Sequence, residues 1–85
     1  MDIGICLPYM ERNYGRDEIL AWCAAADQGP FSSLSCGERI TGYTLEMRTL
    51  LAAAAALTER VRIMPSLYVL PMHSAVWAAK EVATL

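Results

Sequence analysis

What this chain lacks narrows its chemistry first. It has a single histidine, His73, and its three cysteines, Cys6, Cys23 and Cys36, form no C-x-x-C pair. No metal-ligand spacing is present, so no metal site is expected, and the odd number of thiols reads as reduced, partly buried cysteine. The first apolar run is followed by Pro8, Tyr9 and Met10 where a dinucleotide fingerprint would place glycines, and a phosphate-binding loop is missing too. Seven Lys and Arg residues stand against nine Asp and Glu, for a net charge of −2, and the cations are dispersed. A nucleic-acid partner is therefore not expected. The longest apolar run, Leu50 to Leu57, is far short of the roughly 20 residues that span a bilayer. The start, MDIGICLP, carries an acid and no basic n-region, so neither a membrane partner nor a secretory signal is expected, and the protein reads as cytoplasmic.

The residues that are present alternate between strand and helix patterns. Asp2 to Leu7 reads as a buried strand, with Ile3, Ile5 and Leu7 on one face and Gly4 and Cys6 on the other. After a loop to Gly15, Asp17 and Glu18 place negative charge in the first turn of a helix whose buried stripe is Ile19, Cys23 and Ala26. Gly29 followed by Pro30 stops it, with the glycine expected in the left-handed conformation. Phe31 to Cys36 is the second strand, and Gly37, Glu38, Arg39 and Ile40 lie at or just beyond its C-terminal end. Thr44 is the expected N-cap of a second helix, in which Met47, Leu50, Leu51, Ala54 and Leu57 share one face.

Thr58 to Arg60 turns the chain into a third strand, from Val61 to Pro71, expected to be covered on both faces. Pro65 donates no ladder hydrogen bond, so a bulge or distortion is expected near Ser66 and Leu67. Ser74 can cap a third helix, with Val76, Ala79, Lys80 and Ala83 at helical spacing. The order β-α-β-α-β-α with short connections predicts a parallel α/β sheet in one unit, residues 1–85, with no linker or second domain. The last helix stops at Leu85 without a glycine or a basic last turn, which predicts that the chain is truncated and that further sequence covers the open face of the sheet.

Few side chains offer chemistry. Cys36 near a strand end has no neighbouring histidine and reads as structural, and His73 reads as a loop residue beside Ser74. Glu38 and Arg39 form the one charged pair at the C-terminal end of a strand, where open α/β sheets and β/α barrels place their ligands. They are the candidate catalytic residues.

With the elements placed, the whole chain resembles the N-terminal part of the bacterial-luciferase-like monooxygenases, a family of flavin- and coenzyme F420-dependent oxidoreductases. The resemblance is carried by Glu59-Arg60-Val61 opening the third strand, by Val69-Leu70-Pro71, and by Ala79-Lys80-Glu81-Val82-Ala83-Thr84-Leu85 in the last helix. It implies a (β/α)8 TIM barrel of which three units are present, FMN or coenzyme F420 as cofactor, and a small organic substrate. A homo-oligomer of the whole protein is compatible with it, and the 85 residues alone are expected to be inactive. It also implies a non-prolyl cis peptide in the third strand that supports the cofactor ring, and the matching bond is Ser66-Leu67, which makes these the cofactor-binding candidates. Many members carry an acid followed by histidine after the second strand; here Glu38 keeps the acid and Arg39 takes the histidine position. Arginine stays protonated and cannot act as a general base, so polarising an anion or a carbonyl is its more natural role. The alternative reading is a self-contained βαβ interaction module that pairs through its exposed sheet face.

Overall fold

The computed structural model describes all 85 residues. Three short strands, β1 (Gly4–Cys6), β2 (Ser33–Cys36) and β3 (Arg62–Pro65), alternate with three helices, α1 (Arg16–Gln28), α2 (Met47–Leu57) and α3 (Ala75–Thr84). The strands pair in parallel in the order β1-β2-β3, so neighbours in sequence are neighbours in space. Their register places Gly4, Ser33 and Arg62 in one row and Ile5, Leu34 and Ile63 in the next.

Side chains alternate across a strand, and that alternation assigns the two faces. Leu34 and Cys36 are fully buried, and with Leu7, Ile5 and Ile63 they face the helices. Cys23 and Ala26 of α1 and Met47, Leu50, Leu51 and Ala54 of α2 complete this core. Each buried leucine contributes about 1.5 to 3 kcal/mol. An exposed ion pair such as Arg48–Glu46, with side chains 39% and 45% exposed, contributes at most about 1 kcal/mol, so the core decides stability. The opposite face carries Gly4, Cys6, Ser33, Ser35, Arg62 and Met64. It is small and largely polar, the opposite of what an apolar pairing surface needs.

Several boundaries differ from the expectations above. Gly29 ends α1 with φ −86° and ψ −172°, an extended conformation and not the left-handed one. Glycine is needed there for space: a Cβ would sit 2.8 Å from the Ala25 carbonyl oxygen, which the Gly29 N–H already approaches at 2.9 Å. The N-cap of α2 is Glu46, two residues after Thr44. Its Oε2 accepts from the Thr49 N–H at 2.7 Å and from the Thr49 hydroxyl at 2.9 Å, while the Thr44 hydroxyl donates to the Arg39 carbonyl at 2.9 Å. Burial would raise the Glu46 carboxyl, but hydrogen bonds from Arg48 and Thr49 outweigh it and hold the group down at about 2.

The third strand ends at Pro65, six residues before Pro71. Beyond it the Ser66 N–H still donates to the Cys36 carbonyl at 2.8 Å, and the chain then leaves the ladder for a 3-10 turn at Leu70–Met72. Proline has no N–H to continue the pairing, and Leu67 and Leu70 are exposed where a strand covered on both faces would bury them. In α3 the buried residue is Ala78; Val76, Ala79, Lys80 and Ala83 are exposed. Ser74 occupies the N-cap position, but its side chain makes no capping bond.

The turn into β3 explains the Glu59-Arg60-Val61 motif. The Asp27 carboxylate, in the last turn of α1, accepts from all three backbone N–H groups at 2.8 to 3.0 Å. The Arg60 guanidinium closes the same junction by donating to the carbonyls of Ala26, Asp27 and Gly29, which have no partners inside the helix. The N–H groups of Glu59, Val61 and Arg60 hold the Asp27 carboxyl below its ordinary value of 3.8. Its stabilisation is therefore complete above that value and is lost as pH falls through the depressed one. In the whole protein Asp27→Asn should lower the melting temperature by several degrees near neutrality and flatten the acid side of the stability profile. Thermal melts across the acid range check this, and an unchanged acid limb would contradict it.

Candidate active site

The three strand ends converge at a single glycine. Gly37, directly after β2, is buried, and a Cβ on it would run into the Tyr9 hydroxyl and come within 3.2 Å of the Ser66 carbonyl oxygen. Only glycine lets the segments after β1, β2 and β3 approach this closely.

Glu38 comes next and holds the segment after β3 at three points. Its N–H donates to the Leu67 carbonyl at 3.0 Å, its Oε1 accepts from the Val69 N–H at 2.9 Å, and its Oε2 lies 2.7 Å from Nε2 of His73. The Glu38 and His73 side chains are only 9% and 13% exposed, so this polar pair is shielded from water. The Tyr68 ring meets the imidazole edge-on, with centroids 5.0 Å apart and planes at 87°.

The Ser66-Leu67 peptide bond is cis. The segment that contains it is the one Glu38 clamps, and Leu67 is 70% exposed at the strand ends. Arg39 diverges from Glu38: it is exposed, and its guanidinium meets only the Met10 sulfur at 3.7 Å. Glu38, Arg39 and His73 nevertheless line one cavity of about 330 Å³, together with Glu46 and Arg48.

Behind it, Arg48 joins Glu46 at 2.8 Å to Glu81 of α3 at 3.2 Å, and the Tyr68 hydroxyl donates to Glu81 at 2.6 Å. The hydrogen bond to Glu81 raises the Tyr68 phenol above its ordinary value, and the Glu46 hydrogen bond raises Arg48. This chain of contacts orients Tyr68 against the imidazole. Cys36 carries no chemistry here, because burial pushes its thiol up to about 12. No group of three His, Cys, Asp or Glu residues is placed to hold a metal ion, and no helix is long and apolar enough to cross a membrane.

Sequence reasoning anticipated the cis bond and the position of Glu38 after β2, and placed His73 in the loop that leads into α3, but not its contact with Glu38. The two residues lie 35 positions apart in the sequence. The available signal was positional: the one histidine of the chain follows β3 as Glu38 follows β2, and adjacent parallel strands bring such loops together.

The luciferase-like monooxygenase family model matches residues 1–85. Among solved structures, the fold is similar to that of a type II Baeyer-Villiger monooxygenase, the oxygenating constituent of 3,6-diketocamphane monooxygenase from the CAM plasmid of Pseudomonas putida, in complex with FMN. The TM-score is 0.76 at 22% identity, over 96% of this chain and 25% of that one, so the chain spans a quarter of that enzyme's length. No curated protein sequence shows significant similarity.

Proposed function

The chain belongs to the luciferase-like monooxygenase family, and on that premise we propose that residues 1–85 form the first three units of a (β/α)8 barrel in a flavin-dependent oxidoreductase. The observation that carries this reading is the convergence of three parallel strand ends on Glu38, with the Ser66-Leu67 segment clamped beside it. Barrel enzymes assemble their sites from the loops at that end of the strands.

The residues present fit a flat, amphipathic ring. Leu67 offers an exposed apolar surface, and Glu38, Arg39 and His73 offer polar groups in the adjoining cavity. Ser66 and Leu67 would support the ring, and the cofactor would supply hydride transfer or oxygen activation when bound. FMN is the favoured cofactor because the structurally similar monooxygenase carries it, with coenzyme F420 as the second candidate. Arg39, exposed and without a carboxylate partner, polarises a carbonyl or holds an anionic group of a small organic substrate.

Absorbance titration of the whole protein with FMN and with F420 tests the reading, and saturable binding of neither would refute it. In the same protein Arg39→Ala should raise KM several-fold with a smaller change in kcat. Wild-type kinetics would remove Arg39 from the site.

A further inference from the structure

We propose that His73, positioned by Glu38, is the residue that exchanges a proton with the bound substrate, in the role that Arg39 cannot fill. The inference rests on the oxidoreductase reading above. It starts from the 2.7 Å contact between Glu38 Oε2 and His73 Nε2. An ionised carboxylate only accepts hydrogen bonds, so Nε2 must carry the hydrogen, and in the neutral ring Nδ1 then holds a free lone pair.

Nδ1 has no partner in the protein, and yet it is not a buried orphan. Tyr14 Oη is the one buried side-chain polar atom that lacks a hydrogen bond, so Nδ1 keeps some solvent access, and His73 is one of the residues that line the cavity. Glu38 cannot rotate away cheaply, because its other oxygen is held by the Val69 N–H. Tyr68 packs edge-on against the ring and is itself tied to Glu81. The charged groups facing the imidazole are thus Glu38 beside it, Arg39, Glu46 and Arg48 across the cavity, and Glu81 behind Tyr68.

In the acid–base step an O–H bond of the substrate breaks, its electron pair stays on oxygen, and the proton bonds to Nδ1; the imidazolium then releases it to solvent. The reverse step delivers a proton to oxygen. A substrate with a hydroxyl or carbonyl oxygen is the class this geometry takes. Glu38 accepts from Nε2 and fixes the tautomer, so it is a positioning residue and His73 is the catalytic one.

Ring ¹⁵N shifts of His73 in the whole protein can be assigned by comparison with His73→Gln. A neutral ring with hydrogen on Nε2 and a bare Nδ1 is expected, and the Nδ1–H tautomer would overturn the proposal. His73→Gln should lower kcat by about 10²-fold or more and remove a pH limb in the histidine range of roughly 5 to 8, with a much smaller change in FMN or F420 affinity. Retention of the limb, or an equal loss of cofactor affinity, would reduce His73 to a structural role. Failure of the wild-type protein to bind either cofactor would refute the oxidoreductase reading and the catalytic role with it, even if the tautomer is as expected. If His73→Gln does not fold, through-bond correlation of the ring with the His73 backbone assigns the wild-type resonances instead.

Discussion

Replacing Glu38 by alanine is expected to lower kcat of the whole enzyme by about 10²-fold or more and to loosen the segment from Leu67 to His73. The substitution leaves the Val69 N–H without its acceptor and frees the His73 ring to rotate or change tautomer. A merely exposed carboxylate would have neither effect, but this one is 9% exposed with both oxygens engaged. Hydrogen exchange at Val69 separates positioning from general instability: its protection should fall while that of α2, packed in the core, stays unchanged. Glu38→Gln keeps an acceptor for Val69 but turns an NH2 donor toward His73 Nε2 in place of the carboxylate oxygen, so it should retain Val69 protection and still lose turnover. Unchanged exchange at Val69 in Glu38→Ala would show that the clamp is not formed in solution.

The second large effect concerns the 85-residue chain by itself, which is expected to self-associate instead of unfolding cooperatively as a monomer. Only 13 of 85 residues are buried, too few to offset the conformational entropy of ordering the rest. Val76, Trp77 and Val82 of α3 are 77%, 62% and 51% exposed, and Leu85 follows them at 41%. This apolar surface lies on α3 and the loops, whereas the uncovered face of the sheet is small and largely polar. The aggregation surface is therefore the helix layer, and not the inward faces of the strands. Light scattering after size exclusion should give a mass above the 9.4 kDa of one chain, rising with concentration. A concentration-independent monomer with a sharp melt would overturn the expectation and revive the self-contained module.

What the sequence determined by itself is the local periodicity and its consequences. Alternation placed Ile5 and Leu7 against the helices and Gly4 and Cys6 on the open face, and the spacing of Met47, Leu50, Leu51 and Ala54 marked the buried side of α2, whereas Ile3 and Leu57, expected on the same buried faces, lie at the element ends and are 57% and 43% exposed. These patterns are legible because burial of a regular element depends on neighbours a few residues away. In α3 the same reasoning failed: four of its ten residues are alanines spread around the helix, so spacing cannot say which of them faces inward, and Ala78 is buried where Ala79 and Ala83 were expected. The Ser66-Leu67 bond was legible through family resemblance and the neighbouring Pro65, and Glu38 through its place after β2.

Tertiary structure alone decided the polar architecture. Asp27 binds the backbone of residues 59 to 61, Glu38 clamps Val69 and reaches His73, and Glu81 joins Arg48 to Tyr68, all across separations of 13 to 35 residues. Hydrogen bonding requires donor and acceptor within about 3 Å, and nothing in the local spacing of either partner encodes that distance. It was set when parallel pairing of β2 with β3, and a glycine at position 37, brought two loops to the same end of the sheet.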